Sequence, residues 1–444
     1  MSGIIFFKTV NLAKIREFYE GRLGLKLWKD QGKCLIFAHG SLKLGFCEGQ
    51  ASETGGIITF VYDSPAEVDA SYARFEKIAT GKPEISEYYK IYHFWARDFE
   101  GRSLEFQCFI EPEKKGTEKA EISILNPDKA KPKLLLTRMI PENAVDQLKQ
   151  VFEVHANTEP RNLSKAELLQ HIPQMDGLLC LLGDTIDREL LDAAPKLRVI
   201  SNYAVGYNNI DIDYAKSKNI AVCNTPGVLT ESTADLAWAL IMAASRRIVE
   251  SDKFVRRGEF VGWEPLLFLG QDLHHRTLGI LGLGRIGEAV GKRATGFGMK
   301  ILYHSRTEKS PSYEATRVDL ETLLKESDIL SIHAPLTDKT RHLIGKKELA
   351  MMKETAVLIN TGRGAIVDEK ELIKALQEKR IFAAGFDVYE HEPQIPQELL
   401  DLENVVVLPH IGSASFATRA AMGEMAAENA IAIVKGEKPK SRIV

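Results

Sequence analysis

The chain has 444 residues, too many for one ordinary hydrophobic core, so two or three domains are expected. A hydrophobic fraction of 44% and a charged fraction of 27% are typical of a soluble globular protein. The formal net charge of −3, without a dense run of lysine and arginine, argues against nucleic acid as a partner.

The cysteines are few and scattered. There are five, with no CxxC pair, at Cys34, Cys47, Cys108, Cys180 and Cys223. This pattern predicts a reducing compartment and argues against a zinc site or a disulfide framework. The N-terminus lacks the features of a signal peptide, and the longest apolar run, LAWALIMAA, is too short to span a bilayer. We therefore expect a cytoplasmic protein with no membrane partner.

The first 112 residues are short and rich in predicted strands. The order strand, helix and three strands is predicted twice, over 3–48 and 56–109. The stretches REFYEGRLGLKLW, LKLGFC and RDFEGRSLEF resemble the glyoxalase/bleomycin-resistance (vicinal oxygen chelate) family. The resemblance implies an α+β domain of paired βαβββ modules. The alternative is an unrelated α+β domain.

The same resemblance bears on metal binding. Metal-using members place His, Gln or Glu near the start of each half and a Glu close to the last strand. Glu105 matches the last position, but Ile4 or Ile5 and Ile57 match the others and have no ligand atoms. A catalytic divalent ion takes about three protein ligands, so we expect no metal here.

Two histidines, His39 and His93, are further candidate ligands, although a lone strand histidine is more often structural. The domain formed by residues 1–112 is therefore expected to be a metal-free binding or assembly module. An active lyase or isomerase, acting on a hemithioacetal or a similar adduct, is the alternative.

Residues 113–131 form the predicted linker, because this stretch is charged, contains prolines and has little apolar periodicity. One short strand is predicted inside it, at EISIL. Beyond the linker, strands alternate with helices, and a long helix is predicted from about Thr230 to Arg257. Such alternation predicts an α/β fold with two doubly wound parallel sheets. The first comprises 132–229 with a returning helix in 415–444, and the second comprises 230–414.

A glycine-rich turn opens the second sheet. Gly282, Gly284 and Gly287 lie between a strand and a helix in ILGLGRIGEAVGKRATGFGMKILYHS. The first glycine allows the tight turn, the second lets backbone approach a pyrophosphate, and the third lets helix pack on strand. With a second strand following the helix, this arrangement predicts a dinucleotide site.

The end of that second strand selects the dinucleotide. An Asp or Glu there would accept hydrogen bonds from a ribose 2′-hydroxyl and repel a 2′-phosphate. Ser305 and Arg306 instead offer a hydroxyl and a guanidinium that suit a phosphate. NADP is therefore predicted over NAD, although Arg306 as an ordinary solvent-facing side chain is the alternative.

Three motifs follow at the ends of successive strands: NTGRGAIVDE, FDVYEHEP and LPHIGSAS. Together they supply Arg363, Glu392 and His410, with Asp387 nearby. A 2-oxoacid reductase needs a cation for the substrate carboxylate and an acid for the alkoxide. A carboxylate beside that acid keeps an imidazole protonated.

These motifs resemble the D-isomer-specific 2-hydroxyacid dehydrogenase family, and within it the glyoxylate/hydroxypyruvate reductases, over about residues 132–444. The resemblance implies that His410 is the general acid, Glu392 its carboxylate partner and Arg363 the substrate-binding cation. Backbone N–H groups of Val205 and Gly206 would hold the substrate carboxylate. The cofactor-binding residues implied by the motifs are Gly282, Gly284, Arg285, Ile286, Gly287, Ser305, Arg306, Thr307, His333, Pro335, Thr361, Gly362, Asp387 and Gly412.

Several simpler interpretations stay open. Asp387 is alternatively a side chain that pins a turn, Glu390 is expected to be solvated, and His391 is expected at the surface. The helix from Thr230 is expected to form core and dimer interface, because members of the family usually dimerise there. The reaction expected is reduction of glyoxylate to glycolate or of hydroxypyruvate to glycerate; another 2-oxoacid is the alternative substrate.

Overall fold

The computed structural model describes residues 4–30, 32–39, 42–48, 57–62, 64–86, 91–109 and 122–444. Two compact units divide the chain, Met1–Glu118 and Lys119–Val444. The side chains of Ile4, Ile5, Ile57 and His39 lie outside the described atoms, so the expectations for these four residues are not addressed.

The first unit contains two similar halves. Its elements are β1 (Ile4–Thr9), α1 (Leu12–Ile15) continued by a π-helical segment (Arg16–Arg22), β2 (Lys26–Asp30), β3 (Cys34–His39), β4 (Leu42–Glu48), β5 (Ile57–Val61), α2 (Pro65–Phe75), β6 (Glu84–Ser86), β7 (Ile91–Arg97) and β8 (Ser103–Phe109). The strand orders are β1-β4-β3-β2 and β5-β8-β7-β6. The predicted order of strand, helix and three strands, twice over, is confirmed by the described residues, whereas the family of this unit stays a prediction.

A buried cluster ties the two halves together. Arg102 is 1% exposed, and its guanidinium contacts the carboxylates of Asp98 and Glu100 at 2.9 and 2.6 Å. It also donates to the Lys8 carbonyl on β1 at 2.9 Å, and the Tyr19 hydroxyl donates to Asp98 at 3.0 Å. A buried guanidinium is tolerated because its donors are paired, and these pairs join the RDFEGR turn to the first half.

The expectation that no cysteines form a disulfide is wrong. Cys34 and Cys47 lie opposite one another in the antiparallel register of β3 and β4 and are joined by a disulfide. Sequence spacing without a CxxC pair did not reveal this, because the pairing depends on strand register. The other three cysteines are free and buried. The cytoplasmic location stays a prediction. The cysteine pattern no longer supports it, because two of the cysteines form a disulfide.

The second unit begins with a six-stranded sheet in the order β14-β13-β12-β10-β11-β9. Its elements are β9 (Ile122–Ile124), β10 (Lys133–Leu136), α3 (Glu142–Val151), β11 (Glu153–Asn157), α4 (Lys165–His171), β12 (Gly177–Cys180), α5 (Arg188–Asp192), β13 (Val199–Asn202), α6 (Ile212–Ser217) and β14 (Ala221–Cys223). The strands from β10 to β14 pair in parallel. Helices cover them, and β10, β12, β13 and β14 are the short, mostly apolar runs that the sequence predicted. Strand β11, Glu153–Asn157, alternates polar and apolar residues and was not predicted.

The predicted linker needs a correction. Its EISIL stretch does form a strand, but β9 pairs antiparallel with β11 and belongs to the first sheet of the second unit. The Asn126 side chain continues this attachment by donating to the carbonyls of Lys149 and Phe152 at 2.9 and 2.7 Å. The sheet therefore starts before residue 132, and the short strand predicted inside the linker is its edge strand.

The second sheet has seven parallel strands in the order β17-β16-β15-β18-β19-β20-β21. Its elements are α7 (Thr230–Ser245), α8 (Ile248–Arg256), β15 (Thr277–Leu281), α9 (Arg285–Ala294), β16 (Lys300–His304), β17 (Thr316–Arg317), α10 (Leu320–Glu326), β18 (Ile329–Ile332), α11 (Lys346–Met351), β19 (Val357–Asn360), α12 (Glu369–Gln377), β20 (Ala383–Phe386), α13 (Gln397–Leu400), β21 (Val405–Val407) and α14 (Phe416–Lys435). Because all strands are parallel, their carboxyl ends share one edge, where open α/β sheets bind ligands.

The long helix predicted from Thr230 to Arg257 is two helices. The chain breaks between α7 and α8 at Arg247, whose φ of 53° is left-handed. The Arg247 guanidinium lies over the Phe268 ring and pairs with Glu250 at 2.6 Å. The Phe268 contact is tertiary and the Glu250 contact lies in the first turn of α8, and the break occurs where the sequence has neither glycine nor proline.

Helix α14 returns to the first sheet, as predicted. It begins after Ser415, whose hydroxyl accepts a hydrogen bond from the Thr418 N–H, and ends at the left-handed Gly436. Met422 and Ala426 on α14 pack in the core formed on the first sheet. In the ranges that the structure covers, no helix is both long and apolar enough to cross a membrane.

Candidate active site

The three motifs bring charged side chains to one edge of the second sheet. Arg363 follows β19, Glu392 follows β20 and His410 follows β21, which are neighbouring strands. Glu392 interacts electrostatically with both Arg363 and His410. The structure therefore assembles the predicted cation, carboxylate and imidazole into one cluster.

His410 and Glu392 are directly bonded. The Nδ1 atom of His410 lies 2.7 Å from Oε2 of Glu392. The other carboxylate oxygen of Glu392 accepts the Tyr389 N–H at 3.1 Å. Burial alone would raise the pKa of Glu392, but His410, the Tyr389 N–H and Arg363 together hold it below its ordinary value. Glu392 is therefore a carboxylate near neutral pH, and Nε2 of His410 has no hydrogen-bond partner among the described residues.

The second unit has two lobes, one built on each of its sheets, and residues of both lobes hold Arg363. Its Nε donates to the Asn208 side chain at 2.9 Å and its Nη1 donates to the Gly362 carbonyl at 2.8 Å. Burial lowers the pKa of Arg363, and the Glu392 carboxylate opposes that shift. A Cβ built at Gly206 would lie 1.6 Å from Nη2 of Arg363. The substrate loop, which is the loop that carries Val205 and Gly206, therefore directly faces the guanidinium. Asn208 was not assigned from sequence, because no local signal marks a partner 155 residues away.

Asp387 takes the alternative role, that of pinning a turn. It is 1% exposed, and its carboxylate accepts the N–H groups of Ile411 and Gly412, each at 2.7 Å. Burial raises its pKa, and these two N–H groups and His410 oppose the shift. The turn they fix places His410 at a φ of 55°. A left-handed conformation costs about 1–2 kcal/mol for a residue other than glycine, and the Asp387 bonds offset it.

The expectation of a solvated Glu390 is wrong. Its side chain is 13% exposed and lies 2.6 Å from Nε2 of His342 and 3.7 Å from the Arg341 guanidinium. These two contacts fix the position of Glu390, which lies between Asp387 and Glu392 in the chain. His391 is exposed, as predicted.

The glycine turn has room for a pyrophosphate. Gly282 has a φ of 97°, and a Cβ there would meet the Ala334 backbone at 2.6 Å. A Cβ at Gly284 would meet nothing within 4 Å, whereas one at Gly287 would lie 2.4 Å from the Gly282 carbonyl. No side chain caps the first turn of α9, so no cap competes with a phosphate for its first N–H groups. These residues fit the phosphates of a dinucleotide.

The remaining predicted cofactor residues line the same edge of the sheet. Ser305 donates to the Thr307 carbonyl at 2.5 Å, and the Arg306 side chain is exposed. His333 contacts the Ser331 and Thr361 hydroxyls at 2.8 and 3.4 Å, and burial lowers its pKa to about 4, so it is neutral. The placements of the others are as follows: Ile286 packs against the cores of both lobes, the Pro335 carbonyl accepts from Thr340, the Gly362 N–H donates to Asn360, and Arg285 opens α9.

In the first unit, Glu105 is already paired. One carboxylate oxygen lies 2.9 Å from Nδ1 of His93 and the other accepts the Thr59 hydroxyl at 3.0 Å. The His93 and Glu105 side chains are 10% and 12% exposed. Among the described residues, no group of three or more His, Cys, Asp or Glu is placed to hold a metal ion.

The fold and site of the second unit define a dinucleotide-dependent oxidoreductase built from two doubly wound lobes. The family model for D-isomer specific 2-hydroxyacid dehydrogenase, NAD binding domain, matches residues 238–412. A glyoxylate reductase of Thermococcus litoralis is 53% identical over 320 residues, which are 70% of this chain and 97% of that protein. A glyoxylate reductase of Korarchaeum cryptofilum is 50% identical over 318 residues, 70% of this chain and 96% of that one.

A solved structure agrees. The NADPH-dependent glyoxylate/hydroxypyruvate reductase of Sinorhizobium meliloti, in complex with NADP and malonate, matches with a TM-score of 0.65 at 32% identity. The match covers 71% of this chain and 97% of that one. The chain belongs to the D-isomer specific 2-hydroxyacid dehydrogenase family.

Proposed function

We propose that the second unit reduces small 2-oxoacids with NADPH, converting glyoxylate to glycolate and hydroxypyruvate to glycerate. The observation that carries this proposal is the His410–Glu392 contact of 2.7 Å beside Arg363. It provides a proton donor, its carboxylate partner and a substrate cation in one cluster. The glyoxylate reductases at 53% and 50% identity support the substrate class.

The residues of the chain divide the work of the reaction. Arg363, with two donors engaged by Asn208 and Gly362, keeps further N–H groups for the substrate carboxylate. The N–H groups of Val205 and Gly206 bind the same carboxylate. The turn formed by Gly282, Gly284 and Gly287 would hold the dinucleotide, which when bound would supply the hydride for the carbonyl carbon. His410 donates the proton on Nε2 to the carbonyl oxygen, and Glu392 stabilises the imidazolium before transfer.

The proposed preference for NADPH rests on Ser305 and Arg306 at the end of β16, where no carboxylate is present to repel a 2′-phosphate. The deciding experiment is steady-state kinetics on glyoxylate, hydroxypyruvate and bulkier 2-oxoacids, each with NADPH and NADH. We expect NADPH to give a kcat/KM about 10- to 100-fold higher, the effect of one charge-assisted contact. An equal or higher kcat/KM with NADH would contradict the proposed preference for NADPH. Activity confined to the bulkier 2-oxoacids would contradict the proposed substrates.

For the first unit we propose a metal-free binding or assembly module. Its one matching ligand, Glu105, is bonded to His93 and Thr59. Metal analysis of the full chain tests this proposal, and stoichiometric divalent metal lost in a Glu105→Ala variant would favour the alternative lyase or isomerase.

We also propose a homodimer. Half of the residues of helix α7 are buried, but large apolar side chains after it are exposed, among them Val261 at 90%, Trp263 at 84% and Leu266 at 78%. Large apolar side chains exposed along one short segment, residues 261–266, favour an interaction surface. Light scattering should give a molar mass twice that of one chain. The double variant Trp263→Ser with Leu266→Ser should lower this molar mass toward that of a single chain.

A further inference from the structure

A second arginine lies at the turn that follows β16. The short edge strand β17 pairs with β16 so that Arg317 lies opposite Tyr303. From there the Nη2 atom of Arg317 donates to the carbonyls of Ser305 and Arg306, at 3.0 and 3.2 Å. One guanidinium thus holds the backbone of both residues predicted to contact the 2′-phosphate.

The rest of the turn is also fixed. The Tyr303 hydroxyl accepts the Lys309 N–H and donates to the Lys309 carbonyl, both at 3.1 Å. The Ser305 hydroxyl donates to the Thr307 carbonyl at 2.5 Å. With both ends of the 305–309 turn bonded, the Arg306 backbone is held in one conformation while its side chain remains exposed.

The turn also has an excess of positive charge. Arg306 and Lys309 against Glu308 give a net charge of +1 for 305–309, and the net charge is also +1 for 305–317, where Glu314 offsets Arg317. In the continuous stretch 122–444, no carboxylate is recorded within ion-pair distance of Arg306 or Arg317. By contrast, Arg293 is paired with both Glu231 and Asp235 at 2.7 Å. An arginine whose charge is uncompensated favours an anionic ligand.

The position of this charge suits the cofactor. The Gly282 N–H donates to the His304 carbonyl at 2.9 Å, so the glycine turn and the end of β16 are directly joined. We infer that Arg317 is a specificity-determining residue for the cofactor: it positions the Ser305–Arg306 backbone and adds a second positive charge for a ribose 2′-phosphate. This inference rests on the proposed preference for NADPH.

The test compares two adenosine ligands that differ only in the 2′-phosphate: adenosine 2′,5′-bisphosphate and adenosine 5′-monophosphate. Calorimetry on the full chain gives both Kd values. We expect Arg317→Met to weaken the bisphosphate at least 5-fold and the monophosphate less than 2-fold. Arg317→Lys, which keeps a charge and N–H donors, should recover most of the difference. Arg276→Met, an exposed arginine before β15 at the opposite end of the sheet, is the matched control and should change neither.

The outcomes separate the two proposals. If the wild-type chain binds both ligands equally, the NADPH preference fails, and this inference fails with it. If the wild-type chain prefers the bisphosphate but Arg317→Met weakens both ligands alike, or neither, the preference stands and only the role of Arg317 is overturned. Retained monophosphate binding shows that the variant is folded.

Discussion

His410 is the residue on which proton transfer depends in the proposed reaction. His410→Ala should lower kcat by about 10² or more, because the developing alkoxide loses its proton donor. NADPH binding, measured by fluorescence titration, should stay nearly unchanged. His391→Ala is the matched control, since this neighbouring histidine is exposed. A kcat within a few-fold of the wild type would contradict the assignment of His410 as the acid.

In the proposed reaction, the Glu392 carboxylate is expected to set the pH range of reduction. Its pKa lies below its ordinary value of 4.5, so it is ionised throughout the neutral range, and it lies 2.7 Å from the His410 imidazole that we propose as the proton donor. Glu392→Gln removes that charge. Activity, which needs the proton, should therefore be lost at a lower pH as pH rises. The measurement is a kcat/KM profile from pH 5 to 9; an alkaline limb at the wild-type pH would refute the pairing.

Gly206 tests the substrate loop. A Cβ there would overlap Nη2 of Arg363 at 1.6 Å, so Gly206→Ala must displace the guanidinium. Losing one charge-assisted contact to the substrate should raise KM for glyoxylate by about 10- to 100-fold. Gly296→Ala is the control, because its Cβ would meet nothing within 4 Å. Unchanged KM in the Gly206 variant would place the substrate carboxylate elsewhere.

Single residues were predictable where a motif is local. Arg363, Glu392 and His410 each lie in a short motif that follows a strand, so the sequence indicated them and the parallel sheet assembled them. Asn208 contacts Arg363 across 155 residues, and the Cys34–Cys47 disulfide depends on strand register. Such contacts have no local signature, and only the folded chain reveals them.

At the scale of elements, buried strands and amphipathic helices followed the predicted alternation, because each strand needs an apolar run and each helix an apolar face. The exceptions are elements whose ends depend on distant contacts. Helix α7 ends at Ser245, just before Arg247, whose guanidinium lies over the distant Phe268 ring, and β9 pairs with β11 from within the predicted linker.

Strand β9 should contribute measurably to stability. A chain starting at residue 132 loses β9, the Leu125 N–H bond to Val154 and the Asn126 side-chain bonds. At about 1 kcal/mol for each net hydrogen bond, its free energy of unfolding should fall by about 3–5 kcal/mol relative to a chain starting at residue 119. It also exposes the edge of β11, which favours aggregation. Denaturant unfolding of the two chains measures the difference, and Asn126→Ala in the longer chain should give part of it.

At the scale of the whole molecule, the proposed chemistry lies in one unit. The residues assigned to substrate and cofactor fall in Lys119–Val444, which is compact by itself. Each lobe has its own core, and α14 packs on the first sheet within the same unit. Relatives of that length, 96–97% covered by this chain, support an independent reductase.

A protein comprising residues 119–444 should therefore fold and reduce glyoxylate with a kcat/KM within a few-fold of the full chain. Residues 1–118 alone should fold around their aromatic core and bind no stoichiometric divalent metal, because Glu105 is paired with His93 and Thr59. The measurements are steady-state kinetics on the longer piece and metal analysis on the shorter one. If the longer piece is folded but inactive, the first unit completes the active site or the dimer, and the two units are not functionally independent.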